Sequence, residues 1–309
     1  MKNKINSNSI HHFIKAAILL GLAVYIFQLT LTDEILQFIV PELVIYVKIA
    51  TAILLSVAIV QIYIAVLSLK RHIIICDCGH DHSHDQVFSH DHHLLKKSVV
   101  KDVFIYSLFL FPLLLGYILP NHASSSSLAN NKEMNFKGLA VQASSNGQAV
   151  EVEGHEDPAL KKLFKTNVYD QDYAKLGMLL YKQSTIEMKD KWFIEKLQSM
   201  NTFVDNFQNK QIKIKGFIYR DPKLSGNQFI IARMGMTHCI ADISPFGMIA
   251  ESTNSQQFTN DSWVTITGTI GKTSFNGQTV IKINVQKSEP AKAPSVQYVY
   301  PDWNFGSKL

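Results

Sequence analysis

Three cysteines in 309 residues are too few for a disulfide framework. No Gly-x-Ser-x-Gly elbow, Cys-His-Asn set or phosphate-cradling glycine loop occurs, so the residues point away from an enzyme. Charge of one sign is lacking too. The formal charge of +5 divides into 9 Lys/Arg against 8 Asp/Glu over residues 1–120 and 21 against 17 over 121–309. Neither half is the basic body of a nucleic-acid binder, and no nucleic-acid partner is expected. Charged residues make up only 18% of the chain and apolar ones 47%. A uniform soluble domain is seldom that apolar, so the lipid bilayer is an expected partner.

Three apolar runs carry that expectation. Ala16 to Leu31 contains one strongly polar residue, Gln28, and Lys15 stands at its entry. No small-x-small cleavage site follows Leu31, so it reads as a span rather than a removed signal. Ile49 to Leu69 contains only Gln61 and ends sharply at Lys70-Arg71-His72. Val103 to Leu119 is shorter and contains Pro112 and Gly116, which neighbouring helices make tolerable in lipid. A buried core helix is its alternative reading.

Lys2, Lys4 and Lys15 precede the first run, and Lys70, Arg71, Lys96, Lys97 and Lys101 bracket the connection between the second and third. Basic residues stay cytoplasmic. The N-terminus and that connection are therefore expected inside and, with three spans, the C-terminal half outside. With two spans the C-terminal half would be cytoplasmic.

The cytoplasmic connection, residues 72–97, holds Cys76, Cys78, His80, His82, His84, His90, His92 and His93, interleaved with Asp77, Asp81, Asp85 and Asp91. Imidazole and thiolate are the preferred ligands of zinc and other late transition metals, and the carboxylates draw cations in. Strict alternation throws successive ligands to opposite sides of an extended chain, so an adaptable chelating tract fits better than a rigid tetrahedral site. A solvated polar loop is the alternative. The His11-His12 pair is a weak signal.

Residues 121–135, with Ser124 to Ser127, read as a linker. Over 136–207 the spacing predicts short helices at Asp157–Lys165, Asp170–Tyr181 and Asp190–Phe207. Over 208–309 the period changes to two: Ile212, Ile214, Gly216 and Ile218, then Trp263–Ile270 and Val280–Val285, with Phe229–Arg233 and Cys239–Ile249 as further strands, the last broken near Ser244-Pro245. Asn276-Gly277 marks a hairpin. The fold class expected is a membrane α-helical N-terminal region of about three spans plus an α+β C-terminal domain, a small OB-like β-barrel preceded by short helices. Phe217, Tyr219, Phe229, Arg220 and Arg233 could imitate a nucleic-acid platform, but they read better as barrel packing. His238, Cys239 and Asp242 form a second candidate metal or partner site, although adjacent strand residues point to opposite faces.

Several stretches resemble the YcgQ-like family: Gly216-Phe-Ile-Tyr219-Arg220, Arg233 to Asp242, Trp263 to Lys272 and Val296-Gln-Tyr-Val-Tyr-Pro301, together with the N-terminal membrane segment and its Cys/His loop. The resemblance covers nearly the whole chain and is most specific at Trp-Val-x-Ile-x-Gly-Thr-Ile-Gly-Lys272. Its members are described as subunits of a two-component membrane permease complex. It therefore implies an accessory subunit, with a separate multi-span permease as partner. Members often carry a Cys-Cys pair before Ala-Asp where this chain has His238-Cys239, which keeps a metal ligand and removes a dithiol. Joined to the His/Cys tract, the expectation is a cell-membrane subunit in zinc-like ion transport or homeostasis. The competing expectation is a membrane-anchored metal sensor or store whose OB-like domain binds protein.

Overall fold

The computed structural model describes residues 7–70, 99–118, 132–138, 150, 152 and 157–309. The chain divides into two compact units. One comprises residues 1–35 and 42–121, the other Leu36–Pro41 together with residues 122–309.

In the first unit three apolar segments form helices α1 (Ser7–Leu31), α2 (Val44–Lys70) and α3 (Val99–Ile118). Among the described residues, α1 and α2 are long and apolar enough to cross a membrane, while the apolar part of α3 is the shorter Val103–Gly116. Ala16 and Ala23 on α1, and Thr51, Ala58 and Ala65 on α2, are buried. Their seven-residue spacing keeps small side chains on one seam, where two backbones approach closely without a large side chain between them. The Tyr25 hydroxyl donates to the Gly116 carbonyl at 3.1 Å, tying α1 to α3 beside Pro112. Most of the remaining apolar side chains, among them Phe27, Ile53, Tyr63 and Phe109, are exposed, as a lipid-facing surface requires.

The second unit contains helices α4 (Pro158–Leu163), α5 (Gln171–Tyr181) and α6 (Phe193–Thr202) and a seven-stranded mixed sheet. The strands are β1 (Thr185–Met188), β2 (Gln211–Tyr219), β3 (Gln228–Gly235), β4 (Ser244–Glu251), β5 (Trp263–Phe275), β6 (Gln278–Pro290) and β7 (Tyr298–Val299). Antiparallel ladders join β2 to β5, β5 to β6, β3 to β4 and β2 to β3, and a parallel ladder joins β4 to β6. The five strands β2–β5–β6–β4–β3 thus pair in a closed circuit, with β1 and β7 added in parallel on β2 and β3.

Asn276 and Gly277 both take positive φ, 49° and 75°, and turn the β5–β6 hairpin as the Asn-Gly pair predicts. The ladder of that hairpin shifts register between Thr267 and Gly268. A side chain at Gly268 would collide with the Asn284 carbonyl, so glycine is the residue that lets the bulged strand bend this closely.

Two expectations are corrected, and one strand is added. The segment from Cys239 is not strand: Ile240–Asp242 is a 3-10 turn, and β4 starts at Ser244 and includes Pro245. Proline is tolerated there because the β4–β6 ladder covers only Ile249–Glu251 and the Asn135 bridge uses the Pro245 carbonyl, which accepts the Asn135 amide at 2.8 Å, and not an amide donor of Pro245. The helix expected over Asp190–Phe207 is shorter. It begins only after Trp192, which takes φ 57°, and it stops at Phe203, leaving turns that carry Phe203 and Phe207 inward. The spacing missed β1, whose four residues give too short an alternation to stand out.

The core joins both layers. Phe164 meets Phe203, Phe207 and Tyr181 edge-on at centroid distances of 4.9, 5.9 and 5.9 Å. The Asn201 amide donates to the carbonyls of Phe136 and Leu197, and its oxygen accepts from the Ile281 amide at 3.0 Å, clamping α6 onto β6. Phe207 is fully buried, whereas Leu163 is nearly half exposed. Phe207→Ala is expected to lose about 3–5 kcal/mol of stability and Leu163→Ala less than about 0.5 kcal/mol, measured by chemical denaturation of the detergent-solubilised protein.

Candidate functional site

The eight tract ligands Cys76, Cys78, His80, His82, His84, His90, His92 and His93 lie outside the described residues. Among the described residues, no three His, Cys, Asp or Glu side chains are grouped so as to hold a metal ion. His11 Nδ1 lies 2.9 Å from the Tyr106 hydroxyl, while His12 Nδ1 and Gln61 Oε1 are buried without a hydrogen-bond partner.

His238, Cys239 and Asp242 do come together, on the turn before β4. Asp242 Oδ1 accepts the Thr237 amide at 2.9 Å, and Oδ2 accepts the amides of His238 at 2.7 Å and Cys239 at 3.2 Å. The His238 ring reaches Oδ2 at 3.2 Å, and Cys239 Sγ accepts the Asp242 amide in a reciprocal cap. Partial burial pushes the Asp242 carboxyl up, but the donors from Thr237, Cys239 and His238 outweigh it and hold the group below the usual carboxylate range. The carboxylate therefore organises the turn. The His238 side chain is 71% exposed even though its ring leans on Asp242, whose own side chain is 30% exposed.

The turn also makes an isolated β-bridge that the sequence pattern did not announce. Ile39 bridges Cys239 in antiparallel fashion, with the Val40 amide donating to the His238 carbonyl at 3.1 Å and the Ile240 amide to the Phe38 carbonyl at 2.8 Å. The Tyr300 hydroxyl donates to the Leu36 carbonyl at 2.7 Å. Residues 36–41 thus join the second unit by backbone pairing, which leaves no period in the side chains to read.

A cleft of about 630 Å³ opens beside β1, lined by Glu187, Met188, Lys189, Asp190, Lys191, Lys213, Lys215 and Thr265. Behind it lies Arg233 on β3, 1% exposed, paired through Nη1 with Asp190 and stacked over Trp263 at 5.3 Å. Its Nε and Nη2 are buried with no partner. A lone arginine in the otherwise apolar run Phe229 to Met234 was the available signal. Phe217 and Phe229 are fully buried and Tyr219 nearly so, hence they form no stacking platform. Arg220 is occupied by the carbonyls of Phe258 and Ser255.

The carboxyl-terminal tail is anchored by a buried acid. Glu195 Oε1 accepts the Asp302 amide at 2.6 Å, and Asp302 in turn holds Lys308 and the Trp192 indole. Burial pushes the Glu195 carboxyl up, and burial with nearby Glu195, Asp170 and Asp172 pushes the Tyr173 hydroxyl up to about 12.

Compared with known proteins, the chain matches the DUF1980 N-terminal domain over residues 14–135 and the DUF1980 C-terminal domain over residues 163–301. It is 26% identical over 198 residues to UPF0703 protein YcgQ of Bacillus subtilis, covering 63% of this chain and 68% of that protein. It is 27% identical over 197 residues to a Streptococcus mutans protein, covering 61% of this chain and 70% of that one, whose name presents it as a candidate two-component membrane permease complex subunit. A chain of a solved replication protein A heterotrimer bound to ssDNA aligns over 32% of this chain and 63% of its own at 12% identity. Its TM-score of 0.17 is too low to bear on fold or function.

Asp242→Ala leaves three amides without their acceptor and is expected to lose roughly 1–3 kcal/mol. Because the folded Asp242 carboxyl is depressed, its contribution is full above the unfolded value near pH 4 and is lost as pH falls through the folded value. Denaturation curves between pH 7 and pH 2 should therefore show an acid loss that shrinks in the Asp242→Ala protein.

Proposed function

The chain belongs to the DUF1980 family, and on that footing we propose that it is an accessory subunit of a two-component membrane permease complex handling a zinc-like transition-metal ion. The reading rests on one conjunction: two apolar helices of spanning length in a chain 27% identical to a protein whose name presents it as a candidate permease complex subunit. A pathway through lipid needs inward-facing polar groups, and α1 and α2 offer little beyond Gln28 and Gln61. A separate multi-span partner supplies it. The tract from Cys76 to His93 collects metal ions on the cytoplasmic side by virtue of its ligand chemistry. The closed strand circuit has the pairing of an OB-type barrel and acts as a binding module rather than an enzyme.

Backbone pairing supports the placement of the C-terminal domain outside the cell. Residues 36–41, between α1 and α2, share hydrogen bonds with the domain, so both lie on one side of the bilayer. An even number of crossings must then separate Pro41 from Lys132. α2 supplies one and α3 the other. Lys2, Lys4 and Lys15 assign the N-terminus to the cytoplasm, which sends the connection and the domain outward.

Affinity purification from mild detergent should bring a multi-span permease down with the full chain. A protein recovered alone, still binding metal, would favour the sensor or store. Deleting residues 76–93 should alter cell-associated zinc, copper, cobalt or nickel by elemental analysis, and unchanged levels would remove the tract from the function.

For the topology, Ile39 and Cys239 occupy a wide antiparallel pair, where Cα atoms approach to about 4.5 Å and a disulfide fits. Ile39→Cys in a Cys76→Ser, Cys78→Ser background should crosslink to Cys239 on oxidation, visible as a non-reducing gel shift. Protease added to intact cells should cut the C-terminal domain, and protection there would reverse the side assigned.

A further inference from the structure

We infer that the cleft beside β1 is a binding site for a phosphate-bearing anion of two or three negative charges, gathered by Lys191, Lys213 and Lys215 around the Arg233–Asp190 pair. The charge count sets the ligand. Lys189 is neutralised by Glu187 at 2.8 Å, and Asp190 by Arg233. The next carboxylate along, Glu289, is engaged by Lys287 at 2.6 Å. Among the described residues Lys191, Lys213 and Lys215 have no ion-pair partner of their own on the cleft wall, although Lys213 also feels the Glu187 and Glu289 carboxylates, so the cleft carries an excess of cation.

Two of these are fixed by the strand. Lys213 and Lys215 alternate on β2 opposite Thr267 and Thr265 of β5, so both ammonium groups stand on the same face of the sheet, with the Thr265 hydroxyl beside them. Lys191 arrives from the other wall, where its ammonium lies 4.2 Å from the centre of the Trp192 ring. Arg233 stands off the cleft wall and meets it through Asp190. Its guanidinium is almost wholly out of water, yet Nε and Nη2 have no acceptor. Buried arginine donors normally find partners, and the guanidinium adds its charge to the cleft through Asp190, the lining residue it neutralises. The crowding of cation is felt nearby: Lys196 is depressed first by burial and then by Lys189.

A cleft of about 630 Å³ has room for more than a single inorganic phosphate, and the charge suits pyrophosphate or a phosphorylated headgroup. Phosphate is favoured over carboxylate because it presents three or more oxygens to several separate ammonium points at once.

The test uses the full chain in neutral detergent. Pyrophosphate, inorganic phosphate and sulfate are titrated by calorimetry and by tryptophan fluorescence, since Trp263 and Trp192 flank the site. Soluble phosphatidic acid, with phosphatidylcholine as control, forms the lipid arm. Saturable binding of pyrophosphate or phosphatidic acid, weakened at least tenfold in the Lys213→Glu, Lys215→Glu protein, is the expected result. Both substitutions are at the surface and leave the fold intact, which an unchanged melting temperature verifies. Preference for one arm identifies the source, free phosphate or lipid. No saturation in either arm, equal affinity in the variant, or sulfate and phosphatidylcholine binding as tightly as the phosphates would overturn the site.

Discussion

The second unit depends on β2 being paired along both of its edges. Gln211–Phe217 runs against β5 and Phe217–Tyr219 against β3, so one nine-residue strand joins the two halves of the sheet and completes the circuit. Its inward side chains Ile212, Ile214 and Ile218 are buried, and Gly216 between them lets β3 approach so closely that any side chain there would collide with the Ala232 carbonyl. Without that approach β3 and β4 would be left with one open edge, and the interior that receives Phe229, Met248 and Ile266 would be open to water. The helices α5 and α6 then serve as a cover, with Phe193, Leu197 and Met200 completing the same core.

Much of this was legible because it is written in side-chain periodicity. Ile212, Ile214 and Ile218 alternate, Val264, Ile266 and Ile270 alternate, and Asn276-Gly277 turns the hairpin where both residues accept positive φ. What escaped has other causes. β1 is held on β2 by backbone bonds and by four residues only. The Ile39–Cys239 bridge joins positions 200 apart through main-chain atoms, which leave no trace in the side chains. Asp242 stands out in the sequence beside His238 and Cys239 as a candidate metal or partner residue, but the amides of its own turn that its oxygens accept are main-chain partners the sequence does not display. Arg233 could be singled out in the apolar strand, but its partner Asp190 lies 43 residues earlier and only folding brings it near.

The two units divide the chemistry by solvent. In the first, small residues set the helix contact while large apolar ones face outward, the reverse of a water-soluble bundle. In the second, phenylalanines such as Phe164, Phe207 and Phe229 are inside, while Lys189, Lys191 and Lys213 stand outside. The peptide from Leu36 to Pro41 belongs by its hydrogen bonds to the second unit although its neighbours on both sides belong to the first.

The Arg233–Asp190 pair constrains the order in which the second unit can be completed. A guanidinium keeps its proton at every physiological pH, so it cannot escape a dry interior by becoming neutral as a lysine can. Until the segment carrying Asp190 has docked, closing β3 against its neighbours strands an uncompensated cation. A closed strand circuit lacking the β1–α6 connection would therefore be disfavoured from within. An ion pair between a strand and a distant turn thus acts as a checkpoint on assembly.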